Sequence, residues 1–221
     1  MGAALLATAV VGVGMVGLGA STGRALNFAE PGDAGANLGG AAAAGTFNGT
    51  AGGLTSISGS IAGTDGLDAD VYSFTLGSAT ALRLVSTSTA GLDTALFLFS
   101  STGAALLAND DASGTSIQGA LTTGTLAAGT YYLGISLSGN EPVNSANQLL
   151  FAGGPGTTGQ RGAASGLNPA TLAGFNGNVS FAEGGAYSIG LSAVPEPGTW
   201  ALLGAGALVL GATTLRRKQT A

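Results

Sequence analysis

From residue 54 to residue 193, apolar and polar positions alternate with a period of two, broken at short intervals by Gly, Asn, Asp and Ser. That period places alternate side chains on opposite faces of an extended strand, and no useful length of the chain repeats at the helical period. The clearest case is 131–137, where Tyr131, Leu133, Ile135 and Leu137 alternate with Tyr132, Gly134 and Ser136. Residues 71–76 set Tyr72, Phe74 and Leu76 against Val71, Ser73 and Thr75, and 187–192 set Tyr187, Ile189 and Leu191 against Ser188, Gly190 and Ser192. Weaker alternation marks 54–61, 81–87 with Leu82 and Leu84 inward, 104–108, and 116–121 with Ile117 and Leu121 on one side. Residues 94–99 differ, being apolar on both faces, with Phe97 and Phe99 opposite Leu96 and Leu98, as in a central strand. Eight or nine short strands with turns between them predict an all-β fold, an antiparallel β-sandwich or jelly roll over 54–193.

Two stretches carry little alternation. Residues 26–53, rich in Ala, Gly and Asn, read as an extended lead-in whose end alone is well packed. Residues 138–178 form a Gly-rich insertion whose only charges are Glu141 and Arg161. A structureless loop of that length is uncommon inside a domain, so local structure is expected there. Residues 148–152 read as a short edge strand. Asn168-Pro169 followed by 170–173 and Gly174 reads as one helical turn, with Asn as N-cap and Pro at the first position. The tip, 153–166, reads as mobile, either a loop that meets a partner or a plain insertion.

The ends have another pattern. Residues 1–20 are apolar without Lys or Arg, and Gly23-Arg24-Ala25 offers a small-x-small cleavage site, so 1–25 reads as a secretory signal helix. The alternative is a first membrane helix that is retained, against which Gly12, Gly14, Gly17 and Gly19 argue. At the other end, 194–221 holds Pro195-Glu196-Pro197, the uncharged apolar run 198–215, and then Arg216, Arg217 and Lys218. About 18 residues of helix span roughly 27 Å, close to the hydrocarbon thickness of a bilayer. The basic cluster keeps its own end in the cytoplasm, Trp200 suits the opposite interface, and everything before Pro195 is placed outside.

Those three parts in that order resemble a PEP-CTERM sorting signal, a tail also labelled an ice-binding-protein C-terminal domain. The resemblance implies recognition by exosortase, a membrane-embedded transpeptidase-like enzyme of Gram-negative bacteria that make extracellular polysaccharide. Further phrases, GTDGLDADVYSFTL at 63–76, STAGLDTALFLFSSTGAALLANDD at 88–111 and LAAGTYYLGIS at 126–136, resemble the bacterial pre-peptidase C-terminal domain. That likeness implies a small β-sandwich, an accessory module without a catalytic site of its own.

Composition narrows the chemistry. The chain has no Cys and no His, which excludes disulfides, thiolate nucleophiles, zinc sites built on those residues and His-assisted triads. Residues 26–194 carry ten acidic side chains against Arg83 and Arg161, a net charge of −8, so nucleic acid finds no basic surface. Gly (41 of 221 residues) and Pro (6) together stay below the level at which disorder becomes the default.

The acidic residues gather at strand ends. A tight turn at 100–103 would set Asp93 opposite Asp110, and like charges facing each other are unfavourable unless a cation lies between them. Calcium held by Asp93, Asp110 and Asp111, with Asn109, Asp68 and Asp70 nearby, suits an all-oxygen site; the alternative is that these Asp side chains end strands in Asx turns. Acid–base catalysis by Asp93 and Asp110 would need an apolar cleft that the surrounding Gly, Ser and Thr do not suggest. No flat repeated Thr array supports ice binding. The sequence therefore predicts a non-enzymatic exported protein in the cell envelope, inner-membrane anchored and then sorted outside. Its expected partners are the membrane, an exosortase-type enzyme, and exopolysaccharide or other surface proteins; a calcium-dependent glycan- or peptide-binding module is the alternative.

Overall fold

In the computed structural model the alternation resolves into two five-stranded sheets and a small third one, over the described residues 24–49, 52–62, 67–88, 91–168, 170–177 and 184–195. The signal helix expected at 1–25, except for its last two residues, and the membrane helix expected at 198–215 lie outside these residues. Among the described residues no helix is long and apolar enough to cross a membrane.

The first sheet runs, in spatial order, β1 (Leu26–Ala29), β3 (Leu54–Ile61), β12 (Gly185–Ala193), β5 (Thr80–Ser88) and β8 (Ala120–Leu126). The second runs β2 (Ala42–Phe47), β4 (Ala69–Leu76), β9 (Gly129–Leu137), β6 (Thr94–Phe99) and β7 (Ala105–Asn109). Between them lies the main core, to which Leu54, Ile57, Leu84 and Ile189 contribute from the first sheet and Tyr72, Phe74, Leu96, Leu98, Leu133 and Ile135 from the second.

The expected antiparallel sandwich holds except at two edges, where β1 pairs with β3 and β2 with β4 in parallel. The cause is the path of the chain. Each turn from β1 through β4 carries it across to the opposite sheet, so strands two apart in sequence become neighbours running the same way. The lead-in is correspondingly more ordered than its composition suggested, since it supplies β1 and β2 and buries Ala34, Ala44 and Phe47.

The strand expected at 116–121 is displaced. β8 begins at Ala120, Leu121 is buried as expected, and Ile117 is left 47% exposed. Gly119 marks the squeeze, because a Cβ there would stand 2.8 Å from the Asn109 carbonyl oxygen and 2.9 Å from the Leu96 nitrogen. No helical turn forms at 170–173. Leu172 N donates to Gly103 O at 2.9 Å and Ala173 N to Val143 O at 2.9 Å, so the segment is tied to the turn at Gly103 and to the end of the strand Asn140–Val143. Residues 148–152 make only single bridges, Val143 to Leu149 and Phe151 to Ala163, instead of an edge strand.

The insertion has a structural role. It contributes β10 (Asn140–Val143) and β11 (Gly174–Gly177), paired antiparallel, and lays Leu150, Phe151, Leu172 and Phe175 over the outer face of the second sheet. There Phe97 packs on Phe151 at 5.7 Å and edge-on to Phe175 at 5.6 Å, while Phe99 meets Phe151 at 5.6 Å. This second core explains why β6 is apolar on both faces and buried at every position.

Candidate metal centre

The carboxylates collect at one end of the sandwich. β12 pairs its first residue, Gly185, with Ile61 at the end of β3, and its last, Ala193, with Leu82 near the start of β5. The end of β1, the start of β4, the start of β6 and the end of β7 therefore share the end away from Ala193, and Glu30, Asp33, Asp68, Asp70, Asp93, Asp110 and Asp111 lie there.

Glu30, Asp33 and Asp70 converge, each offering a carboxylate oxygen within 4.8 Å of the others. Glu30 is fixed just past β1, its Oε1 accepting from Ala34 N at 2.5 Å and its Oε2 from Ser60 N at 3.1 Å. Asp70, on β4, is fully buried. Its Oδ2 accepts from the Tyr187 hydroxyl at 2.5 Å, and the Tyr187 and Tyr72 hydroxyls are themselves 2.5 Å apart. Its Oδ1 is buried with no hydrogen-bond partner. Gly59 makes room for this cluster, since a Cβ there would come within 2.6 Å of both tyrosine hydroxyls.

Burial pushes the Asp70 carboxyl up to about 8; the Tyr187 hydrogen bond opposes this, and the charges of Glu30 and Asp68 add to it. Burial likewise drives both tyrosines up, so Tyr72 and Tyr187 remain neutral donors at physiological pH. Three hard oxygen donors, one of them on a buried acid that resists ionising alone, fit a divalent cation of the calcium type. A cation held there would tie the lead-in to β4 across the gap between the sheets.

Asp93, Asp110 and Asp111 are neighbours without converging in this way. β6 and β7 pair Leu96 with Asn109, two residues away from the tight-turn register that would set Asp93 opposite Asp110. The turn closes through Ser100 N to Ala104 O at 2.9 Å with Gly103 at φ 79°, and an irregularity after Leu98 adds the rest of the shift. Asp110 is buried, and its Oδ2 accepts from the Ser138 hydroxyl at 2.8 Å and from Gly156 N at 3.0 Å, while Oδ1 has no partner. Asp93 is exposed on the residue scale, yet partial burial of its carboxyl, with the charges of Asp110 and Asp111, moves it up to about 6. Asp111 is raised by burial and by Asp110. Asp68 does not join them; its Oδ2 accepts from Ala62 N at 2.6 Å.

The two charges of the insertion meet. Arg161 Nη2 donates to Glu141 Oε1 at 2.7 Å with both side chains buried, the only salt bridge among the described residues. Burial raises the Glu141 carboxyl, against the pull of the Arg161 hydrogen bond and charge. Neither this pair nor the Glu30–Asp33–Asp70 group follows from strand pattern. The one sequence signal for the latter was two acids straddling the Pro31-Gly32 turn in the lead-in. Of the sorting residues, Pro195 is exposed two positions beyond β12, and Glu196, Pro197, Arg216, Arg217 and Lys218 lie outside the described residues.

The described residues thus form a β-sandwich with a carboxylate cluster at one end, in which Asp70 is buried, Glu30 partly buried and Asp33 exposed. Residues 68–137 match the family model of the bacterial pre-peptidase C-terminal domain, and residues 193–218 match the PEP-CTERM protein-sorting motif. The sorting motif implies export, membrane-anchored processing in the cell envelope and recognition by an exosortase-type enzyme. Among solved structures, the chain is similar to the pre-peptidase C-terminal domain of collagenase from Bacillus anthracis, at 18% identity and a TM-score of 0.35 over 69% of this chain and 94% of that one. It is also similar to PliG of Salmonella Typhimurium, a periplasmic inhibitor of g-type lysozyme (15% identity, TM-score 0.27, 63% and 89% covered). A PliG mutant from Escherichia coli gives 15% identity and a TM-score of 0.31, with 70% and 100% covered. No curated protein matches the chain.

Proposed function

We propose that this is a non-enzymatic surface or matrix protein that is held in the inner membrane by residues 198–215 and handed at Pro195-Glu196-Pro197 to the sorting enzyme. Once outside, its sandwich associates with exopolysaccharide or with neighbouring surface proteins. The observation that carries this reading is the sorting-motif match beginning at Ala193, the last residue of β12, so that the sandwich itself is the part delivered. The test is co-sedimentation of the processed protein with exopolysaccharide from a producing strain. Retention through salt washing is expected, and free protein in the supernatant would overturn the association.

A second reading, a calcium-dependent module that binds a glycan or peptide, is favoured by the orphaned Asp70 Oδ1 beside Glu30 and Asp33. Running the same sedimentation in calcium and then in chelator separates the two, because only this second reading requires the bound fraction to fall when calcium is withdrawn. The neighbouring Asp93, Asp110 and Asp111 are a further cation position under this reading, with Asp110 Oδ1 as the unpartnered oxygen. Calcium titration of an Asp110→Asn variant against an Asp70→Asn variant tells which cluster holds the ion.

A further inference from the structure

The first sheet has no Asp or Glu in any of its five strands, and its only charge is Arg83 on β5. Leu82 and Leu84 on either side of it are buried, so Arg83 points from the outer face of the sheet, where it is exposed. Residues 26–194 hold one other positive charge, Arg161, which is buried in its pair with Glu141. Arg24 lies in the segment read as the signal peptide. Arg83 is therefore the one cation that the body of the sandwich shows to solvent.

The ladder sets a hydroxyl on each side of it. Ser192 on β12 and Thr122 on β8 are its cross-strand partners, both exposed, and side chains opposed in this way stand about 5 Å apart. Next to Thr122 is Gln160, also exposed, whose Oε1 accepts from Thr122 N, so the donor half of its amide is left for another partner. The row Ser192, Arg83, Thr122, Gln160 is thus rich in donors and contains no acid. Along the centre of the face, β12 turns only Ala186, Ser188, Gly190 and Ser192 outward. Nothing bulky there blocks a polymer laid across the sheet, and no ring is offered for a neutral sugar to stack on. The acid nearest to the row along the chain is Glu196, which belongs to the sorting motif and lies outside the described residues.

We propose that this row is where the exported sandwich meets polysaccharide, and that the polymer is acidic: a uronate carboxylate seats against Arg83 while sugar hydroxyls bond to Ser192, Thr122 and Gln160. This rests on the polysaccharide association proposed above, and adds its place and the chemical class of the polymer. The guanidinium–carboxylate contact is charge-assisted and sets the preference for acid. The hydroxyl contacts are neutral, so salt does not screen them, and they hold the polymer through washing.

The probes are polygalacturonate and the same polymer after reduction of its carboxyls to alcohols, each titrated into the processed protein. Chelator is present throughout, so that no calcium bridges the acids of protein and polymer. Half-saturation is expected to need about two- to fivefold more polygalacturonate for Arg83→Gln than for the natural protein, the scale of one exposed ion pair. Arg83→Lys is expected to fall between them, and the reduced polymer to bind the natural protein and Arg83→Gln alike. Arg83 is exposed, so the variants are expected to melt with the natural protein. Equal binding of polygalacturonate by the natural protein and Arg83→Gln would overturn the proposal, as it would if Glu196 neutralised Arg83. If the natural protein still sediments with exopolysaccharide in that case, the association stands and only its place and class are wrong. Failure to sediment, beside an Arg83-dependent preference for polygalacturonate, would overturn the association and support the row.

Discussion

The two sheets have outer faces of opposite fates. On the first, Ser58, Ser188 and Thr87 lie side by side in the ladder with no second layer over them among the described residues, and Gly190 and Ser192 follow on the same strand. On the second, Phe97 and Phe99 are sealed beneath the insertion by Phe151 and Phe175. The same sandwich therefore has one thin wall and one double wall. A sheet face needs cover where its side chains are large and apolar, and tolerates water where they are small and hydroxylated.

The largest effects belong to the double wall. Phe97→Ala removes a ring shared by both aromatic neighbours and is expected to cost about 3–5 kcal/mol, read from denaturant unfolding of the processed protein. Arg161→Met leaves Glu141 as an uncompensated buried charge and is expected to cost a similar ~3–5 kcal/mol. Adding Glu141→Leu should recover much of that loss, whereas a double variant no better than the single one would mean that the pair is not what holds the cap.

Next comes pH. Asp70 sits near 8 in the fold and near the ordinary carboxylate value when unfolded, so the folded state binds the extra proton between about pH 4 and pH 8. Stability from this group is thus complete in acid and is lost as pH rises toward 8. Glu30, Asp33, Asp68 and the two tyrosine hydroxyls face it, and none supplies a compensating positive charge. Melting temperature is expected to fall over that window in chelator, to fall less in millimolar calcium, and to fall least for Asp70→Asn, where the raised Asp93, Asp111 and Glu141 leave a smaller slope of the same sign. An identical slope in all three would remove Asp70 from the account.

A pair of glycines sharpens the contrast further. A Cβ on Gly134, under the cap, would stand 3.1 Å from Phe175 and 3.4 Å from Phe99, so Gly134→Ala is expected to cost about 1–3 kcal/mol. A Cβ on Gly190, on the thin wall, meets only the Val85 carbonyl oxygen at 4.0 Å. Gly190→Ala should accordingly gain roughly 0.5 kcal/mol through lost chain entropy in the unfolded state. If the two substitutions cost the same, the difference between the walls has no energetic content.

Where each strand was readable depended on the size of its side chains. β4, β9 and β12 carry Tyr, Phe, Leu and Ile on one face against mostly small or hydroxylated partners, and period two sufficed. β6 announced its double burial through unbroken Leu and Phe. β2 hid because Ala42, Ala43 and Ala44 give no contrast between faces, and β10 because Asn140, Glu141 and Pro142 look like loop residues until the second core covers them. The carboxylates were visible as residue types, but their grouping was not. Asp93 and Asp110 depended on a turn register that a longer turn and one irregularity together undid, whereas Glu30 and Asp70 meet only because β1 and β4 belong to different sheets.

β12 lies in the middle of its sheet, hydrogen-bonded antiparallel to β3 on one side and β5 on the other, and under the proposed anchoring the chain would leave for the bilayer from its end. Tension between the tether and anything gripping the far end would run lengthwise along that strand. Its two ladders would then be loaded in shear and would have to rupture together, instead of peeling open one bond at a time. A strand so placed makes the sandwich a stiff mechanical link for as long as it stays attached.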